Sequence, residues 1–255
     1  MAGNTKVANR SGFLGRWQHL EYVIGFNLDR RMFDLARCMP TVPGAIGAFH
    51  REVLTDVGGV SSQTLAEDTD LTMAIAQAGW RVVYQPDAIA HTEAPDSLKQ
   101  LWRQRYRWCY GTLQAMWKHR ASLWQRGSAG QFGRRGLVYL ALFQVLLPLC
   151  APAVDMFAIY GLIFLPPLHV LAVWFGFVTL QAATAAYALR IDRERVGSVW
   201  VLPFQQFVYR QLMYLVVVQS VVMAAIGGRL RWHRMSRSGA AATMLATSGA
   251  NSPQR

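Results

Sequence analysis

Apolar residues recur every three or four positions at Trp17, Leu20, Ile24, Leu28, Met32 and Leu35, which predicts one helix over about residues 14–37. Residues 1–10 ahead of it read as the tail of a strand and a loop. A Gly-punctuated apolar segment, residues 41–49, and a short helix over about residues 51–57 follow, ended by Gly58 and Gly59. Thr64 and Glu67 stand at capping-box spacing and predict a helix to about Ala78 with Gly79 as its stop, Leu71, Ala74, Ile75 and Ala78 forming its buried face. The β-branched and aromatic run 80–85 predicts a strand stopped by Pro86, with a loop over residues 87–95. Ser97 and Gln100 repeat the capping-box spacing and open a long helix over residues 98–117.

From Leu137 the pattern changes to three long apolar runs: 137–165, interrupted by Pro148 and Pro152, then about 168–189 and about 201–226. Each is long enough for a membrane span of roughly 20 residues. Composition agrees. The formal charge is +12, yet 53% of the 255 residues are hydrophobic and only 16% are charged, which argues against a nucleic-acid binder and for a membrane protein with a basic face. Three spans with the N-terminal half in the cytoplasm would put Arg229, Arg231, Arg234 and Arg237 outside, against the positive-inside rule; a re-entrant first segment would return them. Cys38, Cys109 and Cys150 are widely spaced and odd in number, with no metal or disulfide pattern, as in a reducing compartment. Residues 233–255, rich in Ala, Ser and Gly from Ser238, read as a disordered tail.

Two clusters carry candidate chemistry. Gln104, Arg107 and Trp108 fall at i, i+3 and i+4, an amide, a guanidinium and an indole suited to gripping a phosphate and stacking on a sugar ring. Periodicity alone favours the plainer reading, a basic amphipathic helix on a membrane surface, to which Arg103, Arg105, Lys118 and Arg120 contribute. Glu67, Asp68 and Asp70 sit in the first turn of the other helix, where the macrodipole accounts for one or two carboxylates but does not require three. Asp68-Thr69-Asp70 is a literal Asp-x-Asp, but it follows a loop rather than a hydrophobic strand, and i, i+2 side chains on a helix diverge, so it is not read as a metal site. His91 stands without partner ligands and reads as structural. Asp155 and Arg210, both inside apolar runs, either pair or line a wet path with Gln144, Gln181, Gln205, Gln206 and Gln211.

Glu67-Asp68 followed roughly three dozen residues later by Gln104-x-x-Arg107-Trp108 resembles the processive family 2 glycosyltransferases, membrane synthases of cellulose, chitin, hyaluronan and poly-N-acetylglucosamine. The likeness is strongest to the bacterial poly-N-acetylglucosamine branch, through GFNLDRR (25–31), VPGAIGAF (42–49), AEDTDLT (66–72), TEAPDSL (92–98) and FVYRQLMY (207–214). It implies an α/β fold: residues 1–130 as the C-terminal part of a GT-A-type nucleotide-sugar transferase domain with an interfacial helix, then an all-α transmembrane region over 131–232. It implies Asp68 as general base, Gln104 and Arg107 on the donor diphosphate, Trp108 under the acceptor sugar, and Glu67 among the substrate-contacting residues. The implied partners are a UDP-sugar donor, a growing polysaccharide acceptor and the lipid membrane, with no nucleic acid. The implied location is a bacterial inner membrane, multi-pass, with the catalytic part cytoplasmic. The family's donor-binding half, with its uridine pocket and strand-ending Asp-x-Asp, has no counterpart here. Mg2+ or Mn2+ is therefore expected for the full enzyme but not from ligands in this chain, and a partner chain is a possible source of the missing half. Cellulose-, chitin- or hyaluronan-like synthesis remains open, as does an inactive membrane scaffold or channel fragment.

Overall fold

The computed structural model describes residues 1–227. The basic residues Arg229 to Arg237 and the tail expected to be disordered lie outside them.

Strand β1 (Ala2–Val7) pairs in parallel with β2 (Tyr84–Thr92). The second strand starts four residues later than predicted and runs through Pro86 into the expected loop. The register explains how: Gly3 pairs with Gln85 and Asn4 with Ile89, so residues 86–88 bulge out of the ladder. Pro86 sits where no ladder N–H is required. β1 is buried along its whole length. Two of its polar side chains donate to the far end of the chain: Asn4 to Asp192 Oδ1 at 2.8 Å, and Lys6 Nζ to Glu194 Oε1 at 2.9 Å.

The helix expected over residues 14–37 is present as one continuous rod. α1 (Gly12–Glu21) passes into a π-helical stretch, Tyr22–Leu28, and returns to α geometry in α2 (Asp29–Leu35). The period of the apolar residues predicts the rod and not the π turns. α3 (Arg51–Asp56) is short. α4 (Glu67–Gln77) starts at the predicted place for a different reason. Its N-cap is Ala66, which makes no side-chain cap, and Thr64 is buried without capping the helix. Gly79, at φ 93, ends the turn that follows. α5 (Leu98–Lys118) has the predicted cap: Ser97 Oγ accepts from the Gln100 N–H at 3.4 Å.

After a 3-10 turn (Arg120–Leu123), α6 (Gly127–Phe132) continues through π-helical Gly133–Leu137 and Leu140–Leu146 into α7 (Leu147–Phe164). Pro148 and Pro152 therefore do not interrupt the helix; one lies in its first turn, and the wider π turns precede both. α8 is Pro167–Ile191. Gly127–Phe164, of 38 residues, and Pro167–Ile191, of 25, are long and apolar enough to cross a membrane by length and composition. Large apolar side chains face outward along both, as with Phe157 (74% exposed) and Leu168 (76%), which is unlike a helix packed into a water-soluble core. The third apolar run is not straight. A 3-10 segment (Val196–Val201) with α9 (Leu202–Gln205) meets α10 (Tyr209–Ala225) at a 64° bend, so a third span exists only if this pair counts as one.

Two apolar clusters position the site. One joins Leu71, Met73 and Ile75 of α4 to Tyr84 of β2 and to Phe132 and Leu140 of the long helix. The other joins Trp17 and Leu20 of α1 and Leu101 of α5 to Leu189, Leu202 and Tyr209. α5 is thus wedged between the sheet-bearing half and the apolar helices.

Candidate active site

Asp68 is the second residue of α4, and its carboxylate is aimed by backbone. Oδ1 accepts from the Thr69 N–H at 2.8 Å and Oδ2 from the Gly44 N–H at 3.1 Å. The segment carrying Gly44 is laced to the same turn: Thr41 and Thr69 hydroxyls lie 3.0 Å apart, and the Val42 N–H donates to Thr72 Oγ1 at 2.8 Å. The glycines of this segment were expected to permit close approach. At Gly44 an added Cβ would stand 3.6 Å from Asp68 Oδ2. Burial pushes the Asp68 carboxyl above the usual carboxylate range; the Thr69 and Gly44 N–H groups oppose the rise, and the negative charge of Glu67 adds to it.

A second close approach sets α4 against α5. Gly111 lies so near the loop before α4 that a Cβ there would stand 2.6 Å from Ala66 N. Across this contact Asp70, 1% exposed, accepts from Lys118 Nζ at 2.8 Å and faces His119 Nε2 at 2.7 Å.

These elements enclose a cavity of about 1010 Å³. Asp68, Gln104 and Trp108 stand on its wall. Glu67, at the exposed start of α4, and half-buried Arg107 do not line it. Gln104, Arg107 and Trp108 are therefore not brought together on the cavity face. The arginine of α5 that does line it is Arg105, assigned by periodicity to a membrane-facing surface but 5% exposed here. Lys118 departs from that expectation too, being paired with Asp70. The signal for Arg105 was available: Arg105, Trp108, Cys109 and Thr112 fall at i, i+3, i+4 and i+7, and all four line the cavity. The π-helical stretch was missed as well. It contributes Tyr22 and Phe26 to the wall, and α2 adds Asp29 and Arg30. Burial raises the Asp29 carboxyl to about 6, against the hydrogen bond from Tyr139 and the charge of Arg30. The cavity is also lined by Leu140, Phe143, Gln144 and Val145 of the long helix and by Met213, Val216 and Val217 of α10.

Asp155 and Arg210 form the expected pair, joining α7 to α10, and Gln206 donates to Gln181 at 2.7 Å. Gln144 is on the cavity wall, whereas Asp155 and Arg210 are not.

Residues 1–184 match the family described as "Glycosyl transferase family group 2". The chain belongs to that family. Its fold is accordingly a family 2 glycosyltransferase domain with a small parallel sheet and long apolar helices. The chain is 31% identical over 111 residues to the poly-beta-1,6-N-acetyl-D-glucosamine synthase of Staphylococcus aureus (strain COL), a match covering 44% of this chain and 27% of that protein. It is 29% identical over the same length to the synthase of that name from Staphylococcus epidermidis, with the same coverage. The matched part thus spans about a quarter of these relatives. The family is one of glycosyltransferases, whose reactants are an activated sugar donor and an acceptor. Family 2 enzymes generally use a divalent metal. The residues described here do not fit one: Asp70 gives both oxygens to Lys118 and His119, those of Asp68 are held by N–H groups, and no three His, Cys, Asp or Glu side chains converge among the described residues.

Proposed function

We propose that this chain is the acceptor-side part of an inverting family 2 glycosyltransferase that extends a β-linked polysaccharide, of N-acetylglucosamine, from a UDP-sugar. The observation that carries the reading is the shared cavity: Asp68 and Trp108 both line it, together with residues of the long helix and of α10. An acceptor sugar stacked on Trp108 would present its terminal hydroxyl to Asp68. The carboxylate takes the hydroxyl proton, the oxygen forms the new bond to the anomeric carbon from the face opposite the leaving group, and the bond to UDP breaks with its electron pair on the diphosphate. A carboxylate lifted by burial is the stronger base for this step. Gln104 and Arg107 are assigned to the leaving diphosphate and Glu67 to the substrate, the last two reaching from outside the cavity wall. The growing chain would pass along the part of the cavity lined by the long helix and α10.

The same reading assigns residues 1–130 to a GT-A-type domain and 131–232 to a multi-pass membrane region with the transferase part on the cytoplasmic side, where nucleotide sugars are. The donor-binding half and its Mg2+ or Mn2+ ligands are assigned to the complete enzyme and not to the residues described here. A second reading is a membrane scaffold that conducts polymer without making it. The test is synthesis by the complete enzyme in native membranes supplied with UDP-N-acetylglucosamine, UDP-glucose or UDP-glucuronate. Polymer from the first donor alone supports the assignment. Polymer from another donor moves the enzyme to a cellulose- or hyaluronan-like activity, and none from any donor leaves the scaffold.

A further inference from the structure

Arg105 is a charged side chain in a nearly closed place, with polar partners on its own helix and on α1. Its Nη2 donates to Glu21 Oε2 at 2.5 Å and its Nη1 to Gln104 Oε1 at 2.7 Å. Its guanidinium lies 4.4 Å from the centre of the Trp108 ring. Glu21 Oε2 also accepts from the Tyr209 hydroxyl. Glu21 is the last residue of α1 before the π turns, and Tyr209 is the first residue of α10, at the bend of the third apolar run. Phe26 meets Trp108 from another direction, with ring centres 5.8 Å apart at 66°.

Burying a guanidinium is costly unless a carboxylate and further acceptors satisfy it, and removing one partner leaves an uncompensated charge. This cost forces Arg105 to stay where Glu21 is. The planar fork can bind Glu21 and Gln104 at once while lying over an indole, which an ammonium cannot do. Trp108 is therefore held between Arg105 and Phe26, and Gln104 is held by the same guanidinium.

We propose that Arg105 is a positioning residue: anchored by Glu21 and Tyr209, it fixes Trp108 and Gln104 on the cavity wall and so couples the stance of α10 to how the acceptor glycan is held. The proposal rests on the reading of Trp108 as the acceptor platform. Arg105 touches no reacting atom, so its loss acts on acceptor binding before it acts on bond making. When α10 moves, Tyr209 moves with it, and the carboxylate that holds Arg105 is the first group to feel the change.

The test is steady-state kinetics of the complete enzyme with a defined N-acetylglucosamine oligosaccharide as acceptor. Arg105→Lys is expected to raise the acceptor KM about tenfold, with a smaller rise in the donor KM through Gln104 and kcat changed less than threefold. Tyr209→Phe, which deletes one hydrogen bond and no charge, is expected to shift the acceptor KM in the same direction by a smaller factor. Combined with Arg105→Gln it should add nothing to Arg105→Gln alone, because both act through Glu21. An unchanged acceptor KM in Arg105→Lys, or additive effects in the double variant, overturns the proposal. If Arg105→Lys fails to fold, Tyr209→Phe decides it: an unchanged acceptor KM there overturns it as well. Trp108→Ala separates the two claims. If it leaves the acceptor KM unchanged, the platform reading fails whatever Arg105 does.

Discussion

Asp70 Oδ1 lies 2.7 Å from His119 Nε2, and this contact ties the first turn of α4 to the residue that follows α5. The other ring nitrogen, Nδ1, lies 2.6 Å from Gln77 Oε1, and Gln77 Nε2 donates to the His119 carbonyl at 3.4 Å, which fixes the amide orientation. Both ring nitrogens thus face oxygen atoms. Lys118, its side chain one-third exposed, donates to the same carboxylate. Asp70→Ala leaves two donors without their acceptor and should cost about 3–5 kcal/mol in chemical denaturation of the purified protein. Asp70→Asn keeps one acceptor oxygen and should cost less.

Asp68 and Asp70 are two residues apart and are pushed in opposite directions. For Asp70, burial alone would raise the carboxyl, but the hydrogen bonds from Lys118 and His119 outweigh it and hold it below the usual range. A lowered folded value means stability that is fully present above the ordinary carboxylate range and is lost as pH falls through the lowered one. Asp70→Asn should therefore flatten the acid side of a melting-temperature profile. Asp68 is raised, and a base must be ionised to act, so the acid limb of kcat should lie above the ordinary carboxylate range. A pH–rate profile set beside the melting profile checks both shifts.

Gly111 gives a steric prediction. With backbone only 2.6 Å from where its Cβ would be, Gly111→Ala must push the start of α4 away from α5. Overpacking of this kind costs about 1–3 kcal/mol. Because Asp68 follows two residues after Ala66, the loss of transferase rate should exceed what the shift in melting temperature accounts for.

Much of the frame was legible because local physics decided it. The Ser97 cap, the rod over residues 12–35 and the apolar helices follow from spacing that tertiary contacts did not overrule. β2 was misplaced because a parallel partner and a bulge made Pro86 harmless, and neither is visible in the strand's own residues. Ala66 as N-cap could not be read either, since packing against Gly111 sets that helix start in place of a hydroxyl. On the cavity wall, Asp68, Gln104 and Trp108 are residues that the motifs single out, whereas Arg105 was given to the surface as one of several basic residues. Its partner Glu21 lies 84 positions away, and Tyr209, which shares that carboxylate, lies 188 from Glu21.

Asp155 and Arg210 join two apolar helices through one ion pair. Asp155→Asn leaves the guanidinium without a counter-charge in an apolar setting and should lower polymer output, while Asp155→Asn with Arg210→Gln should recover part of it. Polymer per mole of protein in native membranes measures this. Equal output from wild type and Asp155→Asn at equal folding would show that the pair plays no part in polymer passage.

The most direct test of the account is glycosyl transfer by the complete enzyme carrying Asp68→Asn, assayed beside its melting temperature and its binding of acceptor oligosaccharide. Asparagine keeps one acceptor oxygen, enough for either the Gly44 or the Thr69 N–H but not both, and does not take a proton. The account predicts transfer reduced by about a hundredfold or more, with melting temperature and acceptor binding close to wild type. Transfer at the wild-type rate would contradict it and remove Asp68 as the base.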